Sequence, residues 1–383
     1  MGGDRGVALN EEQQLFVDSV HRFMADHASP DKVRAWDENK TFPDDVFRAM
    51  AEQGWFALTL PEQHGGVGGY LELACFLEAV AYYSVALARF WNINVNMVGG
   101  AIAAMGSAEL QSRMLPALAE GRVRFAFALS ENDAGSDATA LRTRGDCRGD
   151  KLVVSGTKMW ITGAAVADYI LTACRTDPQA SRHDGISLVL VPRESPGLTV
   201  NPIDLLGGHA VRTCEVVFDE VEVDRSLVVG DLHTGWKRLL AILSKERVAL
   251  AAMCVGAGQS AIDLAKNYCT QRRQFGRPLS AFQAVSHKLV DMQIGINAAR
   301  LLTYYAAQRL VAGLPCVQES AQAKLFASEA YMRLAIDGVQ VMGANGYSME
   351  YAMQRHFREA KLFQIFGGTS EIQRNAMAKM MGL

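Results

Sequence analysis

The sequence predicts an α+β protein in which a helical segment, a β-rich segment and a second helical segment follow one another. Three observations predict it. Apolar residues recur at a helical period from residue 10 to about 122. Between about 123 and 229, short β-type runs alternate with turns. From Thr234 the period returns to that of a helix, over three long pieces. The expected division is a helical domain over 1–122, a β domain over 123–232 and a helical bundle over 233–383.

Asn10 with Gln13 reads as a helix cap, and Phe16, Val20, Phe23 and Met24 then share one face. A second helix is expected over 44–53, between Pro43 and Gly54. The stretch LPEQHGGVGG (60–69) suits neither helix nor strand and reads as a glycine-rich loop. Helices resume over 70–87 and 108–119. Strands are expected over 123–129, 151–155, 169–173, 186–191, 198–200 and 213–223. No stretch between them is long enough for a crossover helix, so they are expected to pair antiparallel. Long helices over 235–270, 280–312 and 317–342 suggest a bundle. The break Gly343-Ala-Asn-Gly346 leads to shorter helices.

The chain of 383 residues has room for two or three domains, and a composition 49% hydrophobic and 21% charged is that of a globular protein. A formal charge of −3 gives no electrostatic case for nucleic acid or an acidic membrane. Seven scattered cysteines without a CxxC pair read as reduced thiols, neither a disulfide frame nor a zinc site. The start MGGDRGVALNEEQQ has no apolar signal core, and no uninterrupted apolar run approaches membrane-spanning length. The expectation is a cytoplasmic protein without a metal.

Several motifs bear on chemistry. Gly256-Ala-Gly258-Gln-Ser-Ala261 fits a dinucleotide fingerprint on paper, but it lies inside a helical pattern with no strand before it, so close helix packing is the better reading. GxxxxGK[ST], HExxH and GxSxG are absent. In FALSENDAGSD (127–137) an apolar strand runs into a loop of small polar residues, which suits a ligand loop or an Asx-rich turn. In KMWITG (158–163), Trp160 can cover a planar ring and Thr162 can bond its edge, or Trp160 is a sheet-core residue. The arginines and Phe275 of QRRQFGRP (271–278) suit phosphate and base recognition or a solvated interhelical turn. In IFGGTSEIQ (365–373), two glycines precede a helix start, where Ser370 and Gln373 fit a capping box and free N–H groups favour an anion. Finally, Leu239, Ile242, Leu243, Glu246, Ala249, Leu250 and Met253 share one helix face. Glu246 therefore interrupts an apolar stripe, either as half of a structural pair or as a general base with a raised pKa.

Taken together, the motifs LPEQHGGVG, SENDAGSD, KMWITG, RRQFGRPLSAFQ, QVMGANGY, FREAKL and IFGGTSEIQ resemble, in order and over nearly the whole chain, the acyl-CoA dehydrogenase family of FAD flavoproteins. The resemblance implies that family's fold: an N-terminal α domain, a middle β-sandwich or barrel domain and a C-terminal four-helix bundle. It implies FAD, a homotetramer or homodimer, and electron-transfer flavoprotein as acceptor. Leu129, Ser130, Trp160 and Thr162 would lie against the isoalloxazine ring, with Gly135 and Ser136 near the phosphates or the thioester. Arg272, Phe275 and Gln283 would reach the adenosine half of a neighbouring subunit's FAD, and Gln340 and Gly343 its pyrophosphate. Thr369 and Glu371 would reach the FAD of the chain's own subunit, although many relatives have Gln in place of Glu371.

The implied reaction converts an acyl thioester, on coenzyme A or a carrier protein, to the 2-enoyl thioester. A carboxylate takes the α proton while hydride passes from Cβ to flavin N5. Most members carry that carboxylate where this chain has Gly367. An isovaleryl-type and prolyl-carrier-protein-oxidase-like minority carries it on the earlier helix directly before an Arg, as in Glu246-Arg247. Glu246 is the expected base, with Gly367 and Arg247 in the substrate pocket. A flavin oxidase or monooxygenase, or a binding protein without catalysis, are the alternatives. Asn132, Asp133, His209, Val211 and Ala344 depart from common family residues and place the chain away from the main β-oxidation branches.

Overall fold

A computed structural model of the chain describes residues 9–383, except the side chain of Ala241. The first eight residues of the N-terminal reading lie outside the described residues. In chain order come α1 (Glu11–His27), α2 (Pro30–Glu38), α3 (Asp44–Glu52), α4 (Tyr70–Tyr83), α5 (Val85–Trp91), a π-helical stretch (Asn92–Gly99), α6 (Gly100–Met105) and α7 (Ala108–Ala119). Seven strands follow: β1 (Phe125–Ala128), β2 (Arg144–Arg148), β3 (Lys151–Thr162), β4 (Tyr169–Arg175), β5 (Ile186–Pro192), β6 (Leu198–Ile203) and β7 (Thr213–Asp224). Then come α8 (Gly235–Gln271), a hairpin of β8 (Arg273–Gln274) and β9 (Arg277–Pro278), α9 (Gln283–Val311), α10 (Val317–Met342), α11 (Ala344–Tyr347), α12 (Met353–Phe363) and α13 (Ser370–Met380). The chain forms two compact units, one of residues 1–35, 70–88 and 247–383, the other of 36–69 and 89–246.

In the first unit α10 packs against α9, α12 and α13, while α4 packs against α1 and α9. Asn10 caps α1 as expected: its side chain accepts from Gln13 N at 2.8 Å, and its own N–H donates to the Gln13 side chain at 3.1 Å. The Gly256 and Gly258 motif is a packing device. A Cβ at Gly256 would fall 1.9 Å from the carbonyl oxygen of Glu78, and one at Gly258 would fall 2.3 Å from Ile296 Cδ1. Glycine therefore lets α8 approach α4 and α9 more closely than any side chain permits. By length and composition alone α8 could cross a membrane, but 78% of its most apolar window is buried inside the fold, as in the core helix of a globular protein.

The second unit is built on the seven-stranded sheet, in the order β1-β4-β2-β3-β7-β6 with β5 beside β4. The expectation of antiparallel pairing holds for β2–β3, β3–β7, β4–β5 and β6–β7 but fails for β1 and for the Arg144 end of β2, which both run parallel to β4. Between β1 and β4 the chain makes a loop and the β2–β3 hairpin, and that excursion replaces the crossover helix that parallel neighbours normally need. β2, with sequence RGDCR, carries no apolar signal of its own and is extended because β3 pairs with it along its length. β3 runs seven residues beyond the expected end, carried across two register shifts, after Val154 and after Lys158. The pattern over 85–105 is broken by Asn92, Asn94 and Asn96, which conceal a continuous helical run. All three are buried, and Asn94 uses both ends of its amide, donating to Phe90 O at 2.8 Å and accepting from Phe125 N at 2.7 Å.

Candidate active site

Leu129, Ser130, Trp160 and Thr162 are brought together in the second unit, where the chain leaves β1 and β3 ends. Lys158, on β3, is fully buried, and its ammonium donates to Leu129 O at 2.8 Å and to Glu131 Oε1 at 2.8 Å. Glu131 also accepts from Arg142 N at 2.7 Å and Thr143 N at 2.9 Å. Burial pushes the Glu131 carboxyl up, but the Lys158 ammonium and these donors outweigh it and hold it below its ordinary value. The next residue, Met159, donates its N–H to Ser130 O at 2.9 Å.

The consequence is directional. The carbonyls of Leu129 and Ser130 are turned inward, while the Ser130 N–H and hydroxyl have no acceptor among the described residues. Beside them the register shift after Lys158 turns Trp160 out of the sheet with φ 67°, leaving it 52% exposed. That excludes the sheet-core reading of Trp160. Thr162 Oγ1 lies 3.3 Å from Arg89 Nη2 and 3.2 Å from Thr213 Oγ1. Gly163 follows at φ 77°, where a Cβ would fall 2.2 Å from the Phe90 ring. Gly135 and Ser136 lie exposed further along the loop. Asp137 beyond them pairs with Arg182.

Glu246 is 7% exposed on α8, and Leu239, Ile242, Ala249, Leu250 and Met253 of its face are buried with it, as the helical period predicts. It is the last residue of the second unit, and the half-buried Arg247 is the first of the next segment of the other.

In the first unit, Gly367 (φ 63°) and Gly368 (φ 82°) form the turn before α13. The helix cap is Thr369 and not Ser370: its hydroxyl accepts from Ile372 N at 3.2 Å. Gln373 is drawn away from a capping box because its amide donates to Gly367 O and Gly368 O, both at 3.0 Å. Lys324, 1% exposed on α10, donates to Gly368 O at 2.6 Å. The N–H groups of Gly367, Gly368 and Thr369 are left without an acceptor among the described residues. Thr369 and its own N–H hold the exposed Glu371 carboxyl below the ordinary range, its own N–H contributing most.

Gly343 ends α10 at φ 60°, ψ −140°, a conformation for glycine, with no atom within 4 Å of where a Cβ would stand. Gln340 is exposed one turn before it. Arg272, Phe275 and Gln283 flank the β8–β9 hairpin. Phe275 sits at its tip with φ 49° and 93% of its surface exposed, and Arg277 stacks 4.0 Å over Phe282. A phenylalanine so placed belongs to no core of this chain.

The supporting roles of Lys158, Glu131, Lys324 and Gln373 are not given by any motif. Lys324 shares a helix face with the buried Ser320, Ala321, Ala327, Ser328 and Tyr331, so the stripe argument that selects Glu246 selects it as well. Lys158 carries no such signal, because β3 changes register beside it.

Family models match the chain in three consecutive parts: the acyl-CoA dehydrogenase N-terminal domain over residues 10–122, the middle domain over 126–221 and the C-terminal domain over 233–382. A probable acyl-CoA dehydrogenase of Bacillus subtilis, YngJ, is 34% identical over 375 residues, covering 97% of this chain and 98% of that one. Among solved structures, butyryl-CoA dehydrogenase from Megasphaera elsdenii superposes with a TM-score of 0.94 at 31% identity, covering 98% of this chain and 100% of that one. An FAD-dependent dehydrogenase superposes at 0.91 with 30% identity, covering 98% and 99%. The prolyl acyl carrier protein oxidase AnaB superposes at 0.93 with 26% identity, covering 98% and 100%. By three matching domain models and by relatives that share its whole length, the chain belongs to the acyl-CoA dehydrogenase family.

Proposed function

We propose that the protein is a flavin-dependent dehydrogenase of acyl thioesters, in which Glu246 removes the α proton and FAD accepts hydride from the β carbon. The observation that carries this reading is Glu246 itself, a carboxylate buried in an apolar helix face and followed by Arg247. Removing a proton beside a carbonyl calls for a carboxylate screened from bulk water and fixed by a rigid element. Gly367 has no side chain to offer for that task.

The residues fit FAD. A loop face of unpaired donors at Ser130 beside an exposed indole suits a planar ring with an acceptor edge. Three unpaired N–H groups at a helix start suit an anion or a polarised ligand edge. When bound, FAD supplies the hydride acceptor; the chain does the rest. Leu129, Ser130, Trp160 and Thr162 hold the ring, and Gly135 and Ser136 approach the phosphates or the thioester. Thr369 and Glu371 hold the FAD of the chain's own subunit. Arg272, Phe275, Gln283, Gln340 and Gly343 serve the FAD of a neighbouring subunit.

That last role requires an oligomer, a homotetramer or homodimer. The exposed apolar residues Val290, Ile294, Leu301 and Tyr305 on α9, together with Phe275, support it. Light scattering on the purified protein measures it directly. The electron acceptor proposed is an electron-transferring flavoprotein. A second reading, an oxidase acting on a carrier-protein substrate, is favoured by the likeness to AnaB. A panel of acyl thioesters, on coenzyme A and on carrier protein, scored by anaerobic flavin bleaching, tests the substrate. Stopped-flow reoxidation in air separates the readings: slow reoxidation is expected of the dehydrogenase, fast of the oxidase. Failure of every thioester to bleach the flavin overturns both.

A further inference from the structure

The buried pair Lys158–Glu131 lies among the proposed flavin-binding residues without belonging to them, and the chemistry described so far makes no use of it. Its geometry is closed. Lys158 Nζ has two acceptors at 2.8 Å, and the two Glu131 oxygens take Lys158 and two backbone N–H groups. The pair joins the strand that carries Trp160 to the loop that carries Leu129 and Ser130. It also decides which way that loop faces, because Lys158 draws Leu129 O inward and the neighbouring Met159 N draws in Ser130 O.

We propose that Lys158 and Glu131 are positioning residues that make the Leu129–Ser130 loop a donor face and hold it in register with Trp160, so that the isoalloxazine ring meets hydrogen-bond donors and not carbonyl oxygens. The inference rests on the flavin reading above and extends it to two residues that touch neither ring nor substrate. Without the ammonium nothing charged holds Leu129 O inward, and a carbonyl turned outward repels the acceptor edge of a flavin. A purely structural role would look different. A buried ion pair replaced by apolar residues of similar size commonly leaves a fold intact, so a pair that only stabilised the sheet would be dispensable for the cofactor.

The test is the full-length double variant Lys158→Met/Glu131→Leu, which removes both charges together and leaves neither buried alone. FAD titration of the apoprotein, the visible spectrum of the bound flavin and amide hydrogen exchange over 129–134 in the FAD-free protein are compared with wild type. The expected result is a folded variant whose FAD dissociation constant rises at least about tenfold. Its flavin absorption bands should shift, and exchange in the loop should quicken by a similar factor. A folded variant with wild-type FAD affinity, spectrum and exchange overturns the proposal. Should the double variant not fold, Glu131→Gln decides it. That variant keeps an acceptor for Lys158 and loses the one facing Arg142 N, so faster loop exchange and weaker FAD binding are expected, and unchanged values overturn the proposal. Wild-type apoprotein that takes up no FAD overturns the flavin reading and this inference together. FAD uptake identical in wild type and variants overturns this inference alone.

Discussion

Replacing Gly256 by alanine sets two effects against each other. In a helix interior alanine is favoured over glycine by about 1 kcal/mol. At this position, however, the added Cβ would stand 1.9 Å from Glu78 O, 2.8 Å from Glu78 C and 3.0 Å from Glu78 Cα. All three are backbone atoms of α4, so no side chain can swing aside. Carbon and oxygen rest near about 3.3–3.6 Å, and α4 must therefore retreat by more than about 1 Å. Overpacking of that kind costs about 1–3 kcal/mol, and displaced backbone argues for the upper end. The net expectation is a loss of about 1–2 kcal/mol, or a few degrees in the midpoint for a chain of this length. Gly295→Ala in α9 is the matched control, because its Cβ would meet only Ala330 Cβ at 3.8 Å. It should gain about 0.5–1 kcal/mol. The assay is the thermal midpoint of the FAD-loaded protein, measured for both variants in one buffer. The two midpoints should move in opposite directions. A Gly256→Ala protein stabilised as much as Gly295→Ala would refute this expectation, and with it the view that the glycine motif is a packing device.

Other perturbations have equally definite outcomes. Arg300, 5% exposed, pairs with the buried Glu78 at 3.0 Å. Arg300→Met should cost about 3–5 kcal/mol in urea denaturation by leaving a buried carboxylate uncompensated, and adding Glu78→Leu should recover most of it; a double variant no better than the single contradicts this. His356 is half-buried with Nδ1 3.0 Å from the Tyr331 hydroxyl, and desolvation lowers its pKa to about 3. The unfolded chain then binds the extra proton first, so stability is complete above about pH 6.5 and is lost as the pH falls from there towards 3, by about 1.4 kcal/mol per unit. The variant His356→Asn should show a flatter profile of midpoint against pH between 7 and 4, and a parallel profile counts against the assignment. Lys324→Met leaves Gly368 O to Gln373 alone and should speed FAD release about tenfold, at a stability cost of about 1–3 kcal/mol; unchanged release shows that Gln373 suffices to hold the turn.

The elements that sequence reveals best here are those whose periodicity is set by burial on one side. The α8 face that singles out Glu246 is one, and the same argument applied to α10 finds Lys324. It works because a charged side chain cannot enter an apolar stripe without a reason. The Asn10 and Gln13 cap is legible for a similar reason, since both bonds close within four residues. Other features depend on partners far along the chain. β2 is extended because β3 lies beside it, and the parallel pairing of β1 with β4 follows from a connection that no local pattern encodes. Lys158 is invisible to alternation because a register shift follows it. At the start of α13, Ser370 and Gln373 look like a capping box, yet Gln373 is claimed by two turn carbonyls and Thr369 becomes the cap. The Asn-rich π-helical stretch conceals itself in the same way, by burying amides that satisfy one another and the backbone.

The central claim is that the catalytic carboxylate stands on α8 and not at the glycine turn before α13. Glu246→Gln measures it most directly. The variant should fold, bind FAD with wild-type affinity and keep the wild-type flavin spectrum. Mixed anaerobically with a thioester that bleaches the wild-type flavin, it should reduce its own flavin about 10²–10⁴-fold more slowly, as expected for a removed general base. Flavin reduction at the wild-type rate in Glu246→Gln would contradict the account.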